Sequence, residues 1–591
     1  MRYLKLFLFL LLATGLHAQS DCVSGTVVDE DSNPLIGVSI IIKGTAAGTV
    51  TDLDGKFQLC QLVPGNPVPL EFRYVGYNQH EQTFQPGDSS IVVVMAPSAQ
   101  TLEEVVVVGY GVQRRRDVTR SVGAISPSRT RKQRNQPEPT NREQYNKITP
   151  NGFVKTKKEN TSTLSTDVDR AAYANVRRFL KNGQLPPADA VRTEELINYF
   201  AYDDAPPKSK DDIALRTEIG PCPWNGKHRL LRVSAKTMPI ATEDIPASNL
   251  VFLLDVSGSM GTADKLPLVK ESLSLLTNSL RPQDKVAIVV YAGAAGVVLE
   301  PTSDKHAILN ALNRLSSGGS TAGGRGIELA YKLAGKHFVE GGNNRVILAT
   351  DGDFNVGTSS QEGLIELIEA KRKSGIFLTV LGFGTGNYQD GKMQELADRG
   401  NGNHAYIDGA AEARKVLVEE FGGTLFTVAK DVKLQLEFKP GAVAQYRLIG
   451  YENRLLNKED FDDDKKDAAE MGAGHNVTVL YEIVPGPAFA ELPYYGYLRL
   501  RYKPAKGGRS QKLAIPVAAE HRAGKDASAD LRWAAAVTEF AMLLRGSKHK
   551  GTSNWAECRK LASGAIGADP GGYRRDFLEL LSLAEGLAAK R

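Results

Sequence analysis

The sequence predicts a multidomain chain: an N-terminal antiparallel β-sandwich, a flexible linker, an α/β doubly wound domain inserted in a second β-sandwich, and a C-terminal helical region. Three observations carry this expectation. The chain has 591 residues, too many for one hydrophobic core, so its length points to several domains. Strand-like and helix-like patterns alternate between residues 247 and 425, as they do when helices cover both faces of a parallel sheet. β-patterned runs stand on both sides of that block, which reads as an insert within one sandwich. The net charge of +5 is small for this length and gives no support to a nucleic-acid partner.

Residues 1–18 read as a secretory signal. Arg2 and Lys5 introduce an apolar run ending near Gly15, and Leu16-His-Ala18 offers a cleavage site. The run is shorter than the ~20 residues a membrane span needs, and no second candidate span follows. Cys22 is preceded by Gln19-Ser-Asp21, not by the small apolar residues of a lipoprotein box. The expectation is an exported protein with no transmembrane span in the mature chain, placed in the periplasm or at the outer membrane of a Gram-negative-type envelope. Of the four cysteines, Cys22 and Cys60 fall in one small segment. A disulfide there and buried free thiols are both open. No cysteine or histidine spacing suits zinc.

Residues 22–97 alternate short β-patterned runs (23–28, 38–42, 57–59, 70–74 and 91–95) with turn signals such as Asp31-Ser-Asn-Pro34, which predicts a small antiparallel sandwich. Asp52-Leu-Asp-Gly55 is read as a hairpin turn, since it lacks the downstream glutamate of a calcium loop. The motifs Gly25-Thr-Val, Pro34-Leu-x-Gly37-Val and Thr51-Asp-x-Asp-Gly-x-Phe57 resemble the carboxypeptidase regulatory-like domain. In 98–112, the string Leu102-Glu-Glu-Val-Val-Val-Val-Gly-Tyr-Gly111 resembles the TonB-box-like segment of starch-utilisation-type TonB-dependent receptors. That resemblance implies TonB or an outer-membrane receptor as a partner. Physically the segment is β-prone and suited to adding to a sheet edge, or it is an edge strand without a partner. No receptor barrel pattern follows it. Residues 113–160 are basic and poor in large apolar residues, which predicts a flexible linker.

Order is expected again in 161–246, with helices at 169–180 and 193–200 and strands in 212–240. Block 247–425 has strand candidates at 250–255, 286–291, 346–350 and 377–381. Its helix candidates are 266–280, 306–315, 326–333, 363–371, 393–397 and 412–421. Residues 426–520 return to strands (432–438, 444–449, 477–483 and 495–502). Their acidic run Asp460-Phe-Asp-Asp-Asp464 is read as a solvated loop. Residues 528–591 are helical, with Trp533, Val537, Phe540, Ala541 and Leu544 on one stripe and Tyr573, Phe577, Leu580, Leu581 and Ala584 on another. Both stripes are read as core.

Five oxygen-bearing residues are the candidate site: Asp255, Ser257 and Ser259 in Asp255-Val-Ser-Gly-Ser-Met260, Thr321 in the glycine-rich turn 316–325, and Asp351 in Ala349-Thr-Asp-Gly-Asp353. Hydroxyls and carboxylates at the carboxyl ends of neighbouring parallel strands are hard ligands suited to Mg²⁺, with Mn²⁺ or Ca²⁺ also open. A Ser- and Asp-rich turn with no role is the bland alternative, but three loops carry the set. It resembles the metal-ion-dependent adhesion site (MIDAS) of a von Willebrand factor type A (VWA) domain. That resemblance implies hydroxyl ligation by Ser257, Ser259 and Thr321 and water-mediated contacts from Asp255 and Asp351. It also implies an open position for a protein ligand presenting Asp or Glu.

From residue 145 onward the chain resembles the YfbK-like VWA family, through the segments beginning Ser165-Thr-Asp-Val-Asp-Arg170, Glu194-Glu-Leu-Ile-Asn-Tyr-Phe200, Tyr446-Arg-Leu-Ile-Gly-Tyr-Glu-Asn-Arg-Leu455 and Asp530-Leu-Arg-Trp533. Catalytic motifs are weak. Met393 stands where a phosphate loop of the Gly386-x4-Gly391-Lys392 kind needs Ser or Thr, and His404 is read as structural. The expected function is non-enzymatic binding at the cell envelope. Two other readings remain: an assembly or chaperone-like component working with an ATPase, and a TonB-coupled accessory of a receptor.

Overall fold

The computed structural model describes residues 22–96 and 142–590, apart from short loop stretches that include 319–322, 353–360, 421–425 and 520–526. The signal-like residues 1–18 and the TonB-box-like string at 98–112 lie outside the described residues.

Residues 22–96 form two facing sheets. One has the order Lys56–Leu59, Val23–Val28, Ile91–Val94; the other runs Gly48–Val50, Ser39–Ile42, Val68–Arg73, His80–Phe84. Alternate residues of Val23–Val28 point inward, and Val23, Val27, Ile40, Leu70 and Phe72 fill the space between the sheets. The expected sandwich is present with one difference: Val23–Val28 and Ile91–Val94 pair parallel. Half-buried strands alternate identically in either orientation, so the sequence pattern is blind to this. A Cβ on Gly25 would sit 2.5 Å from the Ile91 carbonyl oxygen, which explains a glycine mid-strand. Cys22 and Cys60 form a disulfide. The Asp52 carboxylate accepts from the backbone N–H of Asp54 and Lys56, closing a turn.

The expected linker 113–160 requires a correction, because residues 142–160 are built into the fold. Glu143 makes a bidentate ion pair with Arg178, and the Arg142 and Gln144 amides donate to the Gly386 and Tyr388 carbonyls. Val154–Lys155 joins a sheet beside Val443–Ile449. The segment is held by these polar contacts together with a few apolar anchors, Tyr145 and Val154 among them, too sparse for composition to read as order.

The second sandwich is made of chain from both sides of the α/β block. One sheet runs Ile213–Pro221, Arg229–Thr237, Asn476–Pro485, Val443–Ile449, Val154–Lys155; the other runs Leu455–Leu456, Thr161–Ser165, Thr427–Phe438, Tyr494–Pro504, Gln511–Ala518. Val233, Leu434, Tyr481 and Leu498 lie between them. The acidic run is an exposed loop, as expected, and its Asp462 and Asp464 also pair with Lys512 and Arg501 on the neighbouring strands.

The α/β domain has a six-stranded sheet in the order Ala295–Thr302, Lys285–Tyr291, Ser248–Asp255, Asn343–Thr350, Ile376–Phe383, His404–Ile407. Only Ala295–Thr302 runs antiparallel to its neighbour. Ser248–Asp255 and Asn343–Thr350 are buried at every position, because helices cover both faces. Leu250, Phe252 and Leu254 meet the helix Leu266–Ser279 on one side, while Val251 and Leu253 meet Gly323–Lys336 on the other.

The C-terminal helices Ala529–Leu544, Trp555–Ser563 and Tyr573–Ala588 pack with Ala171–Lys181 and Thr193–Asn198 around Trp533, Phe540, Phe577 and Phe200. Among the described residues no helix is long and apolar enough to cross a membrane. The N-terminal module touches the α/β domain: Val50 packs into the core beside Ala294 and Val298, and the Ser316 hydroxyl donates to the Tyr74 hydroxyl at 2.9 Å.

Candidate metal centre at the sheet's carboxyl edge

Parallel pairing decides the site. Asp255 ends its strand opposite Tyr291, and on the other side Leu254 pairs with Ala349, so Asp351 emerges one step beyond the adjacent strand. The sequence separation of Asp255 and Asp351 collapses because the two central strands are neighbours. This is the crevice outside the carboxyl ends of the strands, where open α/β sheets place their ligands.

After Asp255 the backbone turns through Ser257, in extended conformation, into the short 3-10 turn Gly258–Gly261, then enters the helix Leu266–Ser279. The Ser257 amide donates to Asp255 Oδ1 at 2.9 Å, fixing the carboxylate and aiming the serine side chain along the loop. The Ser257 and Ser259 hydroxyls are hydrogen-bonded, Oγ to Oγ, at 3.1 Å. Thr350 Oγ1 lies 3.4 Å from Asp255 Oδ2 and accepts from the Gly352 amide at 3.2 Å. Gly352 has φ +101°, and a Cβ there would sit 2.7 Å from the Gln389 nitrogen, so only glycine turns the chain so tightly behind Asp351.

Four of the five sequence-derived residues, Asp255, Ser257, Ser259 and Asp351, therefore come together. Thr321 lies outside the described residues. The flank of its turn approaches the first loop, with the Gly318 amide donating to the Val256 carbonyl at 2.6 Å.

Sequence reasoning missed Lys265. Its ammonium donates to Asp351 Oδ2 at 2.8 Å and to the Ser259 carbonyl at 3.0 Å. No local pattern signals this, because Asp351 lies 86 residues away. Tyr291 and Thr350 were also missed; both follow from strand register alone.

The electrostatics suit a cation. Burial pushes the Asp255 carboxyl up to about 7; the Asp351 charge adds to this, while hydrogen bonds from Ser257 and Tyr291 oppose it. A group so disfavoured as an anion gains from a nearby cation. The donor set is all oxygen: two carboxylates, two hydroxyls and a carbonyl. It fits a hard divalent ion and offers a soft metal nothing.

The Gly386-x4-Gly391-Lys392 string is not shaped as a phosphate loop: Gly391 lies in the helix Asp390–Arg399, and a Cβ there would meet the Asn146 side chain at 2.4 Å. His404 is buried, its Nε2 is 3.0 Å from the Tyr388 hydroxyl, and burial lowers its basicity, as for a structural histidine.

Known proteins match each part. Residues 249–420 match the von Willebrand factor type A domain and 139–232 match von Willebrand factor. Residues 423–493 and 490–587 match the model described as uncharacterized protein YfbK, C-terminal; 23–107 match the CarboxypepD_reg-like domain. The uncharacterized protein YfbK of Escherichia coli (strain K12) is 43% identical over 452 residues, which span 72% of this chain and 78% of that one. The TonB-dependent receptor SusC of Bacteroides thetaiotaomicron is 37% identical over 124 residues, 21% of this chain and 12% of the receptor. The crystal structure of conserved hypothetical protein BatB from Bacteroides thetaiotaomicron covers 29% of this chain and 97% of its own, at 27% identity and a TM-score of 0.26.

Proposed function

Because the chain belongs to the YfbK family of VWA-domain proteins, we propose that it is an exported binding protein of the cell envelope. In this reading it captures an acidic side chain of a partner protein through a metal-ion-dependent adhesion site and catalyses no reaction. What supports the reading most is the convergence of Asp255, Ser257, Ser259 and Asp351 at the ends of two adjacent parallel strands. With Thr321, these residues would hold Mg²⁺, or Mn²⁺ or Ca²⁺, and the bound ion would supply an electron-poor position for an Asp or Glu carboxylate.

The chain's own contribution is preorganisation. The Ser257 amide holds Asp255, the two serine hydroxyls face one another, and the ion pair with Lys265 holds Asp351. Neutral hydroxyls in direct contact with the ion, with the carboxylates one step behind, would leave it hungry for an anionic ligand. The buried Arg177 and Arg192 of the surrounding frame pair with Asp408, Glu412 and Asp390 of the α/β domain, so the site is presented on a fixed frame.

The test is a pull-down from envelope extract with the mature protein. It compares Mg²⁺ with chelator and wild type with Asp255→Ala. A partner retained only with both Mg²⁺ and Asp255 supports adhesion and identifies the ligand; partners indifferent to both would sink it.

A second reading concerns the N-terminal region, whose likeness to TonB-dependent receptors supports docking to TonB or to an outer-membrane receptor. Deleting residues 98–112 should then reduce envelope association, measured by fractionation. Undiminished association would remove this role.

A further inference from the structure

We propose that Lys265 is a resident counter-cation of the adhesion site: it weakens divalent-ion binding and makes the loaded site selective for acidic ligands. This rests on the adhesion-site reading above and concerns how that site is tuned.

The Lys265 side chain is almost fully buried, and so is Asp351, to which it is paired. A buried ammonium is costly unless well partnered. Lys265 has two oxygen partners, the Asp351 carboxylate and the Ser259 carbonyl, and both belong to the site. Helix stability does not explain it: Lys265 immediately precedes the helix Leu266–Ser279, where a positive charge opposes the helix dipole. The fold also makes space for the side chain. Gly384 has φ +72°, and a Cβ there would lie 2.4 Å from Lys265 Cε and from Cγ. Lys265 is thus directed to the site by a cleared channel and held there by the site's own oxygens.

Charge accounting gives the consequence. With both carboxylates ionised, as they are when the ion is bound, the two carboxylates and one ammonium sum to a single negative charge. A divalent ion turns this into a single positive charge, which one incoming carboxylate neutralises. Without the ammonium, the loaded site would already be neutral, and the same carboxylate would leave it negative. Lys265 therefore trades affinity for the ion against attraction for an acidic ligand, and the ion must share Asp351 with it.

The experiment is calorimetric titration of the full chain with Mg²⁺, then of the Mg²⁺-saturated protein with acetate as a minimal carboxylate. Wild type, Lys265→Met and Lys265→Arg are compared. Lys265→Met keeps an unbranched stem in the channel and should bind Mg²⁺ on the order of 10-fold tighter and acetate weaker by a similar factor, the scale of one unit charge a few ångströms away in a partly buried site. Lys265→Arg, which keeps the charge, should stay near wild type. A Lys265→Met variant that binds Mg²⁺ no more tightly than wild type overturns the proposal while leaving the adhesion reading intact. Wild-type protein that takes up none of Mg²⁺, Mn²⁺ and Ca²⁺ overturns both. Wild type alone provides a second measurement that does not depend on the variants folding: acetylation of Lys265, followed by mass spectrometry, should rise several-fold on adding Mg²⁺ as the ion draws on Asp351. Equal labelling with Mg²⁺ and with chelator would overturn the proposal.

Discussion

At the scale of single residues, Asp255 and Asp351 look equivalent in sequence and are opposites in the structure. Asp351 is ion-paired with Lys265, whereas Asp255 is buried among hydroxyls and an amide, with its carboxyl raised to about 7. Asp351→Asn should strand a buried ammonium and lower metal-free stability by ~3 kcal/mol, read as the urea midpoint in chelator. Asp255→Asn removes a carboxylate that burial already disfavours. It should hold or raise that midpoint while abolishing the rise in Tm that Mg²⁺ produces. Equal destabilisation by both would contradict the assigned asymmetry. The carboxylates and serines were legible in the sequence because the residues of one loop lie in short, spaced strings. Lys265 was not, because only the fold brings it to Asp351.

At the scale of elements, the long apolar runs were legible and the irregular ones were not. Ser248–Asp255 and Asn343–Thr350 are covered on both faces and so read as continuous hydrophobic stretches. The antiparallel edge strand Ala295–Thr302 carries glycine and proline and was missed. The helix Trp555–Ser563 falls in the expected helical region 528–591 but gave no stripe of its own, because it buries only Cys558 and Ala562. The neighbouring helix Ala529–Leu544 was legible from its apolar stripe, but it also buries Glu539, whose carboxyl desolvation lifts from 4.5 to about 7 despite a hydrogen bond from Ser553. The folded state therefore holds this proton more tightly than the unfolded chain does. The contribution to stability is complete below pH 4.5 and is lost as pH rises through about 7. Glu539→Gln should flatten the fall in urea midpoint between pH 5 and pH 8 (round values either side of the transition). A slope identical to wild type would assign that proton elsewhere.

At the scale of the whole molecule, buried arginines join the frame to the inserted domain. Arg192 holds Asp390 in a bidentate pair and also bonds Glu195, while Arg177 bridges Asp408 and Glu412. Arg192→Met leaves two buried carboxylates without their cation and should cost about 3–5 kcal/mol, measured by denaturant unfolding; a cost under ~1 kcal/mol would place the clamp elsewhere. The N-terminal module rests on the α/β domain, where a Cβ on Gly296 would meet Val50 Cγ2 at 2.1 Å. Gly296→Leu should push the module away and increase the radius of gyration in small-angle scattering. An unchanged radius would show that other contacts hold the module.

The sequence by itself determined the order of domains, the interruption of one sandwich by an α/β insert, and the oxygen-bearing residues Asp255, Ser257, Ser259 and Asp351 at the strand ends, because these are written in local periodicity and in short motifs. Only the tertiary structure decided that residues 142–160 are a strap and not a tether, that Val23–Val28 pairs parallel with Ile91–Val94, that Cys22 and Cys60 are joined, and that Lys265 enters the site. Each depends on a contact between distant parts of the chain. A polar strap, a strand's direction and a buried ammonium leave no periodic trace in sequence, since what stabilises them is a partner supplied by the fold.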